Sequence, residues 1–123
     1  MSFKRFDLIL NNKLSSFKKI INIDSDKSIS IRCFLIGSIS HNVSTAKNVL
    51  ESQDVLSTIK CLKKLGVIIK RLSPGSYKIF GKGIGSFFTK NNTTLNFGNS
   101  GTLARLLIGI LSTTPGIQVK ILG

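Results

Sequence analysis

Lys27, Ser28 and Arg32 fall close together in the run Asp26-Lys27-Ser28-Ile29-Ser30-Ile31-Arg32. They offer an ammonium, a hydroxyl and a planar guanidinium, a donor set suited to a phosphate or a carboxylate. Ser28 and Arg32 are four apart and share a face if the run is helical. Lys27 then stands at the helix mouth, where free backbone N–H groups also attract anions. Spacing alone favours the plainer reading, an N-cap serine between two solvated cations. A second candidate is Gly98-Asn99-Ser100-Gly101-Thr102, a glycine-rich turn whose backbone N–H groups could meet a ligand, with Arg105 four residues beyond Gly101. It lacks the Gly-Lys-Ser/Thr of a nucleotide-binding loop. By itself it also fits an ordinary tight turn with a capping residue.

These residues need helices behind them. Lys19 to Ile23 reads as a short strand. Ser28 is a suitable N-cap for a helix over Ile29 to Ile39, apolar on most faces and therefore expected between other elements. Asn42 to Val49 reads as a strand. Ser52 precedes a helix on which Val55, Leu56, Ile59, Leu62 and Leu65 form one face, Lys60, Lys63 and Lys64 lie largely opposite, and Gly66 takes the C′ place. This amphipathic helix is expected to cover the outside of a sheet. Pro74-Gly75 between Val67–Leu72 and Tyr77–Phe80 signals a β-hairpin. Gly81 to Gly85 is a flexible connection, Thr93 to Phe97 a strand, Thr102 to Leu111 a third helix and Ile117 to Leu122 a last strand. The class is α/β (α+β).

The first and third helices match at an offset of 72: Ser28 with Ser100, Ser30 with Thr102, Leu35-Ile36-Gly37 with Leu107-Ile108-Gly109. A polar turn opens an apolar helix and a strand follows in both. This predicts an internal repeat, with a first copy over 19–85 and an incomplete second over 93–123. Residues 1–18 carry no clear period and form an N-terminal segment expected to be poorly ordered. The final strand has no closing element after it, so the chain reads as a fragment of a longer repeat protein.

The net charge of +13 comes from 18 Lys plus Arg against 5 Asp plus Glu and points to anionic partners. Fourteen of those cations are Lys, in a chain rich in Ile, Asn and Ser, a bias that genome base composition can also produce. Charge is therefore weak evidence for a polymer partner. Cys33 and Cys61 sit among apolar neighbours and read as buried free thiols of a reducing cytoplasm. With His41 the only histidine, no metal site is expected. His41 itself reads as a surface-loop residue, and Asp54 as a charge at a helix N-terminus. There is no apolar run of membrane-spanning length and no signal-peptide pattern at the start.

The motifs together resemble a family. Lys27-Ser28-Ile29-Ser30-Ile31-Arg32 is similar to the Lys-Ser-x-Ser-x-Arg signature of the 3-phosphoshikimate 1-carboxyvinyltransferases, or EPSP synthases. In order, Asn48–Val55 resembles Asn-x-Leu-x-Ser-x-Asp-Val, Leu62–Val67 resembles Leu-x-x-Leu-Gly-Val, and Gly98–Arg105 resembles Gly-Asn-x-Gly-Thr-x-x-Arg. The resemblance covers roughly residues 19–123. It implies part of an inside-out α/β barrel of βαβαββ repeats, one full repeat plus the start of a second. It also implies a cytoplasmic enzyme, monomeric at full length, using no cofactor and no metal. That enzyme moves the enolpyruvyl group of phosphoenolpyruvate to the 5-hydroxyl of shikimate 3-phosphate, a step towards chorismate and the aromatic amino acids.

Carried over residue by residue, the resemblance places Lys27, Ser28 and Arg32 on shikimate 3-phosphate, and Lys27 and Gly101 on phosphoenolpyruvate. Asn99, Thr102 and Arg105 shape the site. It assigns no catalytic residue to this stretch, and the fragment is expected to be inactive alone. One departure is Asp24-Ser25, which stands where the family usually has Pro-Gly and puts a negative charge near the anion site. The sister UDP-N-acetylglucosamine enolpyruvyltransferases fit less well, having Lys-Asn at the Lys27-Ser28 position. The alternative from another class is a small basic nucleic-acid-binding protein, but the aromatic residues do not cluster among the cations as stacking on bases requires. Neither nucleic acid nor a membrane is therefore an expected partner.

Overall fold

The computed structural model describes Ile9, Lys18 and residues 20–123. The predicted N-terminal segment falls almost wholly outside the described residues. The elements are α1 (Lys27–Ile39), β1 (Val43–Ala46), α2 (Gln53–Lys64), β2 (Ile68–Ser73), β3 (Ser76–Phe80), β4 (Thr93–Asn96), α3 (Gly101–Leu111) and β5 (Val119–Leu122). The strand expected at Lys19–Ile23 is not there: residues 20–23 are irregular, and Ile20, Ile21 and Ile23 are exposed. β-branched residues favour a strand, but a ladder needs a partner, and these have none among the described residues.

β1, β3 and β2 form an antiparallel sheet in that order, with Val43 opposite Phe80 and Ile68 opposite the other side of Phe80. β2 and β3 are the predicted hairpin, closed by Pro74-Gly75, with Gly75 at a φ of +67°. β4 and β5 pair in parallel, Leu95 beside Ile121, with α3 as the crossover between them.

α1 is the central element, packed against α2, α3, β1 and β3. Its Ile31, Phe34, Leu35 and Ser38 recur at helical spacing and are buried. Gly37 also faces inward, and a Cβ there would lie 2.9 Å from Ile79 Cδ1, so the glycine lets β3 come close. Phe34 meets Tyr77 edge-on, ring centroids 5.2 Å apart. α2 buries Val55, Ile59 and Leu62 as its periodicity predicts. It does so against α1 as well as β2 and β4, so it is wedged between a helix and strands rather than laid on one sheet. Gly66 ends it with a φ of +85°.

Two further expectations are corrected. The N-cap of α1 is Asp26, not Ser28: the Asp26 carboxylate accepts from Ile29 N at 2.6 Å, and the helix starts two residues early. Cys61 is buried as expected, but Cys33 is exposed. No helix of the described residues is long and apolar enough to cross a membrane.

Candidate functional site

Three helix starts converge. α1 opens at Lys27, α2 at Gln53 and α3 at Gly101, and α1 packs on both of the others. Because Asp26 takes the cap, Ser28 belongs to the first turn of α1 and its hydroxyl is free to point sideways. It lies 3.5 Å from the hydroxyl of Thr102, in the first turn of α3. This contact joins the two motifs across 74 residues of sequence. Ser100 caps α3, its Oγ accepting from Leu103 N at 3.2 Å. Each helix start presents backbone donors and the positive end of a dipole, so the junction is a favourable place for negative charge.

Lys27 is half-exposed and its ammonium lies 2.7 Å from the Asp54 carboxylate, in the first turn of α2. Asp54 is therefore more than a helix-start charge: it orients the cation that the first motif supplies. Beyond Asp54, a cleft of about 620 Å³ opens between α2 and the β4–α3 turn, with Gln53 and Asp54 on one side and Gly98 and Asn99 on the other. Lys60 and Lys64 add positive charge to it. Cys61 also lines this cleft; its thiol donates to Asn96 O at 3.3 Å, and burial pushes its pKa up, which keeps it protonated.

The remaining candidates separate. Arg105 folds back along α3, with Nη2 3.7 Å from where a Gly101 Cβ would stand, so its guanidinium sits beside the glycine-rich turn. Asn99 lines the cleft, whereas Arg32 lines a different, largely apolar groove of about 230 Å³ with Leu35, Ile36, Leu106 and Ile110. Lys27, Ser28, Gly101, Thr102 and Arg105 are thus gathered at the helix starts, Asn99 lies across the cleft from Asp54, and Arg32 stands one turn further along α1. His41 is exposed, beside Gly83 in the following loop. Among the described residues no group of His, Cys, Asp and Glu could hold a metal ion.

Three side chains around this junction have partners that the sequence did not assign to them. Asp54 is one. Ser30 is another: its Oγ donates to Asp26 O at 2.8 Å and accepts from Leu50 N at 3.1 Å, tying the start of α1 to the segment before α2. Glu51 is the third. Its carboxylate accepts from Arg71 Nε and Nη2 at 2.7 and 2.9 Å, from Gly75 N at 3.2 Å, and from the Tyr77 hydroxyl. The Arg71 hydrogen bonds first, then those of Tyr77 and Gly75, lower its pKa from 4.5 to about 2. In the sequence, Ser30 and Asp54 stand at defined letters of two of the motifs, and Glu51 and Asp54 are two of just five acidic residues, but neither signal names their partners.

A family model described as EPSP synthase (3-phosphoshikimate 1-carboxyvinyltransferase) matches residues 12–123. The 3-phosphoshikimate 1-carboxyvinyltransferase of Syntrophomonas wolfei is 36% identical over 110 residues, which are 89% of this chain and 25% of that protein. The protein of the same description from Bacillus subtilis is 40% identical over 104 residues, 85% of this chain and 24% of the relative. A solved structure of EPSP synthase from Acinetobacter baumannii superposes with a TM-score of 0.69 at 33% identity, covering 76% of this chain and 21% of that one. The chain thus spans a fifth to a quarter of the length of the relatives it matches. With most of its residues inside the family model, this chain belongs to the EPSP synthase family.

Proposed function

We propose that this chain carries part of the substrate-binding surface of a cytoplasmic 3-phosphoshikimate 1-carboxyvinyltransferase. Lys27, Ser28 and Arg32 hold shikimate 3-phosphate. Lys27 and the Gly101 backbone meet phosphoenolpyruvate, and Asn99, Thr102 and Arg105 shape the site between them. The observation that carries this reading is the Ser28–Thr102 contact, because it puts the two anion-suited motifs at one place. Two anionic substrates must be brought together for the enolpyruvyl group to move, and the local charge favours that encounter. Fixed donors and cations at converging helix starts lower the cost of it by holding the geometry before the substrates arrive. On this reading the chain belongs to an inside-out barrel of βαβαββ repeats, and the element order from α1 to β5 supports one unit, less its first strand, followed by the opening of a second.

The chain on its own binds without turnover, since the stretch holds donors for the substrates and no residue assigned to the proton transfers. The test is titration calorimetry of the 123-residue chain with shikimate 3-phosphate, beside a phosphate-release assay with both substrates. Saturable binding that Lys27→Met weakens, with no phosphate released, is the expected result. No binding, or binding indifferent to Lys27, would sink the reading.

A further inference from the structure

Asp54 is set in place from outside its own helix. Ser52 is the N-cap residue of α2, yet its side chain makes no capping bond, and its buried Oγ has no partner among the described residues. The start of α2 therefore lacks the usual local restraint. The segment leading into it passes through Asn48, a non-glycine residue at a φ of +54°. Asn tolerates this left-handed conformation better than most residues, but the surrounding structure still has to select it. Here the surroundings are the β2–β3 hairpin. Val49 N donates to Gly75 O at 2.9 Å, and two residues on, the Glu51 carboxylate takes four donors from Arg71, Gly75 and Tyr77. The Tyr77 ring is itself fixed in the core against Phe34, so one side of the clamp is anchored in the centre of the fold. Three residues after Glu51 comes Asp54, and on Asp54 sits the Lys27 ammonium.

We propose that Glu51 is a positioning residue for Lys27. Clamped by Arg71 and Tyr77, it fixes the first turn of α2, hence the Asp54 carboxylate, hence the ammonium that the first motif offers to the substrates. The hairpin, which bears none of the candidate binding residues, thereby takes part in preorganising the site. The consequence for affinity rests on the reading that Lys27 contacts shikimate 3-phosphate; the positioning itself does not.

The experiment reads the two separately. The lysines of the 123-residue chain are ¹³C-dimethylated, and the Lys27 signal is assigned by its loss in Lys27→Arg. Without any ligand, Glu51→Ala moves the Lys27 signal, and Tyr77→Phe, which removes only one donor and keeps the ring, moves it the same way by less. In an Asp54→Asn background neither substitution moves it further, although both still lower the melting temperature. Shikimate 3-phosphate affinity in calorimetry falls roughly three- to tenfold in Glu51→Ala, the size expected for coupled neighbours, and this loss too disappears with Asp54→Asn. A lower melting temperature with an unmoved Lys27 signal in both Glu51→Ala and Tyr77→Phe would overturn the proposal. If Glu51→Ala does not fold, Tyr77→Phe decides alone. A moved signal in a chain that fails to bind shikimate 3-phosphate would leave the positioning standing and sink the functional reading.

Discussion

The Lys27 ammonium lies 2.7 Å from the Asp54 carboxylate, so the first cation of one helix start is held by the first acid of another. With Lys27 half-exposed and solvent able to screen it, the pair adds only modestly to stability, on the order of 1 kcal/mol. This pair's worth lies in direction: a flexible lysine stem is given one preferred place. Lys27→Met keeps the stem and removes the charge. We expect it to weaken shikimate 3-phosphate binding by roughly tenfold or more, as loss of a hydrogen bond to a charged group does. Its melting temperature should stay within a few degrees of the parent's, and calorimetry beside thermal unfolding checks both.

The Glu51 clamp makes stability depend on pH. The carboxyl has a pKa of about 2 in the folded chain against 4.5 as its ordinary value. A lowered folded pKa means stability that is fully present above pH 4.5 and is lost as pH falls through about 2. Glu51→Gln cannot titrate. The gap in melting temperature between parent and variant should therefore be widest above pH 5 and close steadily between about pH 4.5 and pH 2. A gap that stays constant over that range would contradict the clamp.

These two pairings show where the sequence stops being readable. The three helices, the Pro74-Gly75 hairpin and the glycine-rich turn follow from period and turn chemistry, which act within a few residues. Lys27–Asp54 and Glu51–Arg71–Tyr77 depend on how α1, α2 and the hairpin pack, and no local pattern encodes that. The misplaced cap of α1 has a different cause. Asp26 and Ser28 are both good N-cap types, and only the bond from Ile29 N to Asp26 decides between them. That decision matters to the site, because it frees the Ser28 hydroxyl for Thr102. Arg32 is the candidate whose motif spacing says most and whose surroundings say least, standing beside the apolar α1–α3 groove.

Gly37 is a packing prediction. An alanine there would put its Cβ 2.9 Å from Ile79 Cδ1 and 3.3 Å from Cγ2, and Ile79 is fully buried. Overpacking costs about 1–3 kcal/mol, while Ala for Gly in a helix returns about 1 kcal/mol. Gly37→Ala alone should be neutral to about 2 kcal/mol destabilising. Ile79→Val removes Cδ1, so the double variant should be more stable than the sum of the two single effects. Strict additivity in chemical denaturation would mean that α1 and β3 do not meet through this glycine.

The two serine caps give opposite expectations from one substitution. Ser100 is buried and its Oγ accepts from Leu103 N, so Ser100→Ala removes a made bond and leaves a donor unsatisfied at the start of α3. That should cost about 1 kcal/mol, with a range of about 0.5–2. Ser52 occupies the same position on α2, but its buried Oγ has no partner among the described residues. Ser52→Ala removes a desolvated hydroxyl that returns nothing, so it should leave stability unchanged or raise it slightly. Denaturant midpoints of the two variants at equal slope measure the difference directly. Equal losses would mean that the Ser52 hydroxyl does cap its helix in solution, and that the first turn of α2 is held locally rather than through Glu51.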